Sequence, residues 1–376
     1  MKNFFFALFI IPLLTQCQSP TPELEEKRWS EKRAWEWHQE NGWMAGTNFN
    51  PSTAINQLEF FQKETFDFKT IDNELSWSAE LGMKMHRVYL HNLLWEQDST
   101  GFVKRLNAYL KISEMHQLKT MFVLLDDVWH PIPKMGKQPE PIQFVHNSGW
   151  VQAPGAEILG DSLRHDELEN YIKGVVRHFK DDERVVAWDL YNEPDNVANQ
   201  PGRSELEVKD KHIYSLALLK KVVQWTREIN PSQPLTVGLW KGDHTLWGTP
   251  EKLRPLERFM VENSDVISFH SYDGPELTKE KIEVLKNYNR PLLCTEYMAR
   301  TNASTFESIL PILKENEVHA INWGFVAGKT NTIFPWSSWR TEFDSIPKIW
   351  FHDIYLPDKT PFSKEEISFI KTTLTE

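Results

Sequence analysis

Cysteine is nearly absent from this chain, in which Cys17 and Cys294 are the only two. Two cysteines cannot build a disulfide framework or the cysteine clusters of a structural zinc site, so the core has to stabilise the fold. A chain of 376 residues is long enough to bury such a core. Cys294 lies in an apolar run, and we expect it to pack inside the core as a small hydrophobic side chain.

An excess of positive charge is also missing. The chain has 42 Lys and Arg against 53 Asp and Glu, a formal net charge of −11, which argues against a nucleic-acid-binding protein. The 13 histidines show no HExxH spacing, and no glycine-rich phosphate loop follows the first predicted strand, so we predict no metal and no cofactor. Because the chain is acidic overall, we expect its substrate to be neutral.

The apolar stretch at residues 4–14 is too short to span a membrane, and it follows Lys2 as in a secretory signal peptide. Leu14-Thr15-Gln16-Cys17 resembles the cleavage site of a bacterial lipoprotein. We predict a signal peptide at 1–16, a lipid on Cys17, a flexible tether at 17–28 and one catalytic domain at 29–376. The protein would then be exported and held at the outer membrane by that lipid alone. Gln16 is larger than the usual residue there, so secretion after ordinary cleavage is the alternative.

After the tether, strand-like apolar runs alternate with amphipathic helical stretches. We predict strands at 43–49, 83–90, 118–126, from 184, 234–240, 265–271, 291–296 and 320–326. Helices are predicted at 29–39, 70–81, 102–116, 164–180, 204–230, 250–262, 279–288 and 305–315. Eight continuously apolar strands alternating with helices predict a single (β/α)8 barrel with a long, ordered loop at 127–162 after strand three. An open doubly wound sheet is the competing fold, but it lacks its phosphate loop here.

Two of these strands end in a glutamate. The run from Val185 stops at Asn192-Glu193-Pro194, and the run from Pro291 stops at Glu296. Each alone could be a solvated residue at a strand end. Together, at the end of the barrel where active sites lie, they are the acid and the base or nucleophile that glycoside hydrolysis requires.

The other strand-end residues strengthen that interpretation. They are Asn48, Arg87, Asp126, Asn192, Trp240, His270, Tyr272 and Trp323. With Asn192-Glu193-Pro194, His270-Ser271-Tyr272 and Thr295-Glu296-Tyr297, the sequence resembles the retaining glycoside hydrolases with catalytic glutamates on strands four and seven, and most closely glycoside hydrolase family 5. The runs at 146–150 and 350–353 are also similar to a bacterial subgroup labelled as cellulase-like enzymes or β-1,4-xylanases.

The resemblance implies that Glu193 is the general acid/base and Glu296 the nucleophile. Retention requires carboxyl groups about 5 to 5.5 Å apart, and we predict that short separation. Arg87 and the Tyr272 hydroxyl would keep Glu296 ionised. Asn192 would bind the sugar 2-hydroxyl, although it could instead tie down a loop.

Several further assignments stay open. Arg87 could fill the barrel in a structural ion pair, and His270 could be an ordinary core histidine. Strand three of the family often ends in a histidine, whereas this chain has Asp126, so either Asp126 or His130 would contact the sugar there. Tryptophans of the predicted site loops would form sugar-stacking subsites together with Trp323. The candidates are Trp95, Trp129, Trp150, Trp240, Trp247, Trp336 and Trp339.

We therefore expect a monomeric, cofactor-free retaining β-glycosidase that acts on a plant-type β-linked glycan such as xylan, mannan or glucan. The loop at 127–162 could close one end of the groove and favour chain-end action, but the sequence does not decide this. A catalytically inactive carbohydrate-binding lipoprotein is the alternative from another class. Lyase or aldolase chemistry would need a strand-end lysine or a metal cluster, and Lys241 is the candidate for that lysine.

Overall fold

The computed structural model describes residues 27–376. The predicted signal peptide at 1–16, Cys17 and nearly all of the tether at 17–28 lie outside the described residues. Within the described part of the chain, no helix is both long enough and apolar enough to cross a membrane.

Eight parallel strands form one sheet that curls into a barrel. They are β1 Ala45–Asn48, β2 Met85–Tyr89, β3 Lys119–Val123, β4 Val185–Asp189, β5 Leu235–Thr236, β6 Ile267–His270, β7 Leu292–Glu296 and β8 His319–Asn322. Their order is β5-β4-β3-β2-β1-β8-β7-β6. The seam between β5 and β6 closes through Leu239, whose amide donates to the Ser268 carbonyl at 2.9 Å and whose carbonyl accepts from the His270 amide at 2.8 Å. The predicted (β/α)8 barrel is confirmed.

Helices precede and follow the strands, and all but the first cover the outside of the barrel. They are α1 Glu31–Asn41, α2 Gln57–Phe61, α3 Phe68–Glu80, α4 Asn92–Met115, α5 Ala156–Leu159, α6 Glu169–Phe179, α7 Lys211–Ile229, α8 Pro255–Asn263, α9 Pro275–Leu285, α10 Phe306–Glu315 and α11 Lys364–Thr375. The helix expected at 102–116 starts earlier and is kinked at Asp98. The helix expected from residue 204 starts at Lys211, because Asp210 before it is left-handed, with φ +50°.

The N-terminal mouth of the barrel is plugged by α1. Trp37 of this helix packs on the apolar residues that fill the lower barrel, such as Met85 and Leu293, and its indole donates to the Val186 carbonyl at 3.1 Å. Cys294 faces outward into the core between barrel and helices, where it is a fully buried free thiol, as expected. Because the bottom is closed, the accessible cavity lies at the carboxyl ends of the strands.

Candidate active site

Arg87 of β2 is the charged centre of the barrel and is completely buried. Its Nε and Nη2 donate to Asp189 Oδ2 on β4 at 3.0 and 2.7 Å. Nη1 donates to Asn48 Oδ1 on β1 at 2.8 Å and to Glu296 Oε1 on β7 at 3.0 Å. The arginine therefore forms the expected structural ion pair and also holds the Glu296 carboxylate.

The Glu296 carboxylate accepts hydrogen bonds on both oxygens. Tyr89 donates to Oε1 at 2.8 Å, and Tyr272 donates to Oε2 at 2.7 Å. Burial alone would raise the pKa of Glu296, but the charges of His270 and Arg87 and the two hydroxyl donors together lower it below its ordinary value. Glu296 is thus held as an anion inside the protein.

Glu193 faces Glu296 from the end of β4. The chain turns sharply there, since Glu193 has φ +42°, a left-handed conformation that side-chain-bearing residues rarely adopt. Its Oε1 lies 2.8 Å from His270 Nδ1, and its Oε2 accepts from Asn196 Nδ2 at 2.5 Å. One oxygen of Glu193 and one of Glu296 lie within 4.8 Å of each other. Unlike Glu296, Glu193 keeps 13% of its side chain exposed.

The same three side chains could also offer ligands to a metal ion. Within residues 27–376, Glu193, His270 and Glu296 form the one group whose donor atoms approach this closely, all within 4.8 Å. Hydrogen-bond donors already occupy both oxygens of Glu296, so an ion would have to displace tyrosine hydroxyls. The donor set therefore fits a carboxylate held for nucleophilic attack better than a metal centre.

A second layer of hydrogen bonds positions Asn192 beside the two glutamates. Its Oδ1 accepts from Arg87 Nη2 at 2.7 Å, and its Nδ2 donates to Asp126 Oδ1 at 2.9 Å. Asp126 Oδ2 accepts from the Trp150 indole at 2.7 Å. Burial raises the pKa of Asp126 to about 8. Asp126 thus orients an amide and an indole that both face the cavity.

The cavity above these residues has a volume of about 510 Å³ and is strongly aromatic. Its aromatic lining consists of Trp129, His146, Trp150, Trp240, His270, Tyr272, Trp323, Trp336 and Trp339. Trp323 and Trp150 meet edge to face with ring centroids 5.9 Å apart, and each packs on Tyr89. Flat apolar faces beside a pair of carboxylates suit the hydrophobic faces of sugar rings.

The family description "Cellulase (glycosyl hydrolase family 5)" matches residues 128–328, more than half of the chain. The chain belongs to glycoside hydrolase family 5. The matched region contains both glutamates, Asn192, His270, Tyr272 and Trp323. A comparison with curated proteins finds no match.

Solved structures with the same fold include other members of this family. The GH5_18 protein from Streptomyces cattleya, in complex with GlcNAc, is 13% identical over 88% of this chain and 79% of its own, with a TM-score of 0.55. An exo-β-1,4-mannosidase from Opitutaceae bacterium strain TAV5 is 15% identical over 89% and 59%, with a TM-score of 0.54. A β-mannanase from the blue mussel Mytilus edulis is 16% identical over 77% and 87%, with a TM-score of 0.53. At these identities the likeness supports the barrel fold alone.

Most of the predicted site residues of this family 5 chain line the cavity. They are Trp129, Trp150, Asn192, Glu193, Trp240, His270, Tyr272, Glu296 and Trp323. Asn48, Arg87 and Asp126 do not reach it: they are buried behind the lining, and we correct their expected role from sugar contact to support of the residues in front. Arg87 donates to Asn48 and Glu296, whereas the Asp126 carboxylate accepts from Asn192 and Trp150.

His130 was wrongly placed at the sugar. The preceding residue, Trp129, has φ +70°, and this turn sends Trp129 into the cavity and His130 to a separate surface pocket. Two tryptophans were also wrong as subsite candidates. Trp95 packs against Gly174 of α6, and Trp247 is only 2% exposed, with its indole donating to the Lys241 carbonyl.

Sequence reasoning missed Tyr89 and Asn196. Tyr89 lies two residues after Arg87 and therefore on the same face of β2, a signal that could have identified it. Asn196 follows Glu193 by one turn, and its role depends on the left-handed conformation of Glu193, which no local pattern indicates. Lys281 and Asp273, which also line the cavity, bind each other at 2.5 Å.

Proposed function

We propose that this family 5 protein is a retaining β-glycosidase that cleaves a β-linked, β-1,4 plant-type glycan by double displacement. The observation that carries the proposal is the approach of Glu193 and Glu296 to within 4.8 Å, oxygen to oxygen. Retaining enzymes have carboxyl groups about 5 to 5.5 Å apart, whereas inverting enzymes leave about 6.5 to 9.5 Å for a water molecule. The gap here favours direct attack by a carboxylate.

In the first step, the ionised Glu296 attacks the anomeric carbon, and the bond from that carbon to the leaving oxygen breaks. Glu193 gives its proton to the leaving oxygen, so the aglycone departs as an alcohol. A glycosyl ester on Glu296 remains. The hydrogen bonds from Tyr89 and Tyr272 to Glu296 become weaker in this step, because the carboxylate loses its negative charge.

In the second step, Glu193 is the base. It takes a proton from water, the water oxygen attacks the anomeric carbon, and Glu296 leaves as a carboxylate. Two inversions give net retention. Asn192, fixed at both ends of its amide by Arg87 and Asp126, would donate its remaining hydrogen to the 2-hydroxyl, a contact that strengthens in the oxocarbenium-like transition state.

Sugar binding would rest on the aromatic lining. Trp323 and Trp150 flank the nucleophile and would hold the sugar that becomes attached to Glu296. Trp240, after β5, would stack on the leaving group. Xylan, mannan and glucan all present flat pyranose faces to such rings, so the lining supports the glycan class and leaves the sugar open.

The test is hydrolysis of aryl β-glycosides and soluble β-1,4 xylans, mannans and glucans by the full chain in detergent. The matched variants are Glu296→Ala, Glu193→Ala and Glu36→Ala, the last a control at an exposed carboxylate of α1. We expect cleavage of one polymer type, lost in Glu296→Ala and retained in the control. Azide should restore activity to Glu193→Ala on aryl glycosides with good leaving groups, because the anion attacks the anomeric carbon of the glycosyl ester without a base, releases Glu296 as a carboxylate and gives a glycosyl azide.

The opposite result would be tight glycan binding without cleavage of any panel member. It would favour the inactive carbohydrate-binding lipoprotein over the enzyme. Cleavage that survives in Glu296→Ala would contradict the assigned nucleophile.

We also propose that the protein is exported as a monomeric lipoprotein with a lipid on Cys17. The support is the sequence Leu14-Thr15-Gln16-Cys17 and the polar tether after it. Intact-mass analysis of the membrane fraction should show a diacylglycerol-bearing chain that begins at Cys17, and Cys17→Ala should release the protein from membranes. A soluble chain cleaved elsewhere would favour the secreted alternative.

A further inference from the structure

The segment that follows β8 crosses the top of the barrel and is fastened to the long loop after β3. We call residues 329–350 the rim segment. The Thr330 carbonyl accepts from the Asn147 amide at 2.6 Å, the Ser338 hydroxyl accepts from the His146 amide at 2.9 Å, and the Trp339 indole donates to the His146 carbonyl at 2.8 Å. These contacts join parts of the chain that are nearly 200 residues apart in sequence.

The rim segment also reaches the loop after β4. Arg340 Nη2 donates to the Asn199 carbonyl at 2.9 Å. The Arg203 guanidinium lies 4.4 Å from the ring centroid of Trp339, and Arg203 also donates to the Ser148 carbonyl. Trp339 in turn stacks on Trp129, with centroids 6.3 Å apart and planes 20° apart. Loops from three strands are thus joined into one wall.

The wall stands close to the nucleophile. Trp336 of the rim segment meets the Tyr272 ring edge to face at a centroid distance of 5.1 Å, and the Tyr272 hydroxyl is 2.7 Å from Glu296 Oε2. A single aromatic ring therefore separates the wall from the carboxylate that would bind the sugar. Trp129, Trp336 and Trp339 of the wall line the same cavity as Trp323 and Trp150.

The other side of the cavity is built differently. It is lined by Trp240 after β5, Asp273 after β6, Lys281 of α9 and Asn302 after β7. These side chains come from separate elements at the edge of the barrel. The Trp240 indole donates to the carbonyl of Pro194 at 3.2 Å, and Pro194 directly follows Glu193, which would protonate the leaving oxygen. The leaving group would therefore extend toward Trp240.

We infer that the enzyme removes single sugars from the non-reducing end of its substrate and that the rim segment sets this specificity. The inference rests on the proposed function. In a retaining reaction, everything on the non-reducing side of the cleaved bond stays attached to Glu296 until water arrives. A wall one ring from Glu296 leaves space there for one terminal sugar, whereas the side at Trp240 accepts the rest of the chain.

The first experiment follows early products from a reducing-end-labelled β-1,4 hexasaccharide of the sugar type that the panel identifies, with the full chain. We expect labelled pentasaccharide and free monosaccharide from the earliest time point, with intermediates that shorten one unit at a time. A hexasaccharide whose non-reducing terminal sugar carries a bulky benzyl ether on its 4-hydroxyl should be cut at least 50-fold more slowly. This second measurement requires no variant, so it does not depend on a mutant folding.

The second experiment weakens the wall by two substitutions. Arg340→Ala removes an exposed side chain and its bond to Asn199, and Trp336→Ala removes the ring beside Tyr272. The double variant should release disaccharide and trisaccharide from the first time points and should regain cleavage of the blocked substrate. Lys348→Ala is the control, because it removes an exposed cation of the same segment outside the cavity lining.

The outcomes separate the two proposals. Internal cleavage of the hexasaccharide by the native enzyme, or equal rates on blocked and unblocked substrates, would overturn the chain-end inference and leave the glycosidase intact. Chain-end cleavage that is unchanged in the double variant would overturn the role of the rim segment. Absence of hydrolysis from the whole panel would overturn the proposed function and the inference with it.

Discussion

The Tyr272 hydroxyl offers the most specific test of how Glu296 is kept ionised. Tyr272→Phe removes a 2.7 Å hydrogen bond to Oε2 and leaves Tyr89 and Arg87 on Oε1. A hydrogen bond to a charged group is worth about 1.5–3 kcal/mol. Since one pKa unit corresponds to about 1.4 kcal/mol, the pKa of Glu296 should rise by about 1 to 2 units.

The direction of the change in the pKa of Glu296 depends on which form of its carboxyl group the Tyr272 hydroxyl stabilises. Tyr272 donates to the carboxylate and stabilises the charged form, so its loss favours the protonated, unreactive form. The acid limb of the kcat/KM profile of Tyr272→Phe should move to higher pH by about 1 to 2 units. Below that limb, kcat/KM should fall by roughly 10- to 100-fold, while the loss above it should be smaller.

The assay is the pH dependence of kcat/KM on an aryl β-glycoside, between pH 4 and pH 9. Tyr288→Phe is the control, because its hydroxyl donates to the Trp247 carbonyl away from the cavity lining; its acid limb should not move. An unshifted acid limb in Tyr272→Phe would refute the argument that this hydroxyl keeps Glu296 ionised.

Three further predictions concern the Arg87 ion pair, metal binding by the glutamates and the buried Glu74 carboxyl group. Arg87→Met leaves Asp189 and Glu296 buried without their cation, and it should lower the free energy of unfolding by about 3–5 kcal/mol in urea titrations; a loss below 1 kcal/mol would contradict the buried ion pair. Activity should be unaffected by EDTA dialysis, and a loss that zinc or another divalent ion restores would show that the glutamates hold a metal. Burial raises the pKa of Glu74 to about 8 from 4.5, so the folded chain keeps a proton that the unfolded chain releases. Stability should therefore fall as pH rises from about 4.5 to 8, by at most about 1.4 kcal/mol per pH unit, and Glu74→Gln should flatten that slope; equal slopes in the two proteins would contradict the assignment.

The closeness of Glu193 and Glu296 could be predicted from sequence because the barrel fixes where the ends of its strands lie. Once eight apolar runs are recognised, residues at the ends of parallel strands must meet at one mouth. Glu193 and Glu296 were therefore found although β4 and β7 are far apart in sequence. The same rule identified His270 at the end of β6, Tyr272 after it and Trp323 after β8.

The wrong predictions of site residues result from backbone turns and from packing between distant parts of the chain. The pattern of apolar strands contains no information about either. His130 points away because Trp129 before it is left-handed. Asp126 follows the end of β3 as expected, whereas Arg87 lies in the middle of β2, and both are buried behind the cavity lining. The sequence did not predict that the rim segment forms a wall of the cavity. Its position depends on contacts between Trp339 and residues 129, 146 and 203, which are far away in sequence.

The central claim is that Glu296 forms a covalent bond with the sugar. The most direct measurement is incubation of the full chain with a 2-deoxy-2-fluoro β-glycoside that carries a good leaving group, of the sugar that the panel identifies, followed by peptide mass spectrometry. The account predicts that one fluoroglycosyl group is attached to the peptide that contains Glu296, in step with loss of activity. Rapid turnover of unmodified substrate with inversion at the anomeric carbon, or a label on Glu193, would contradict it.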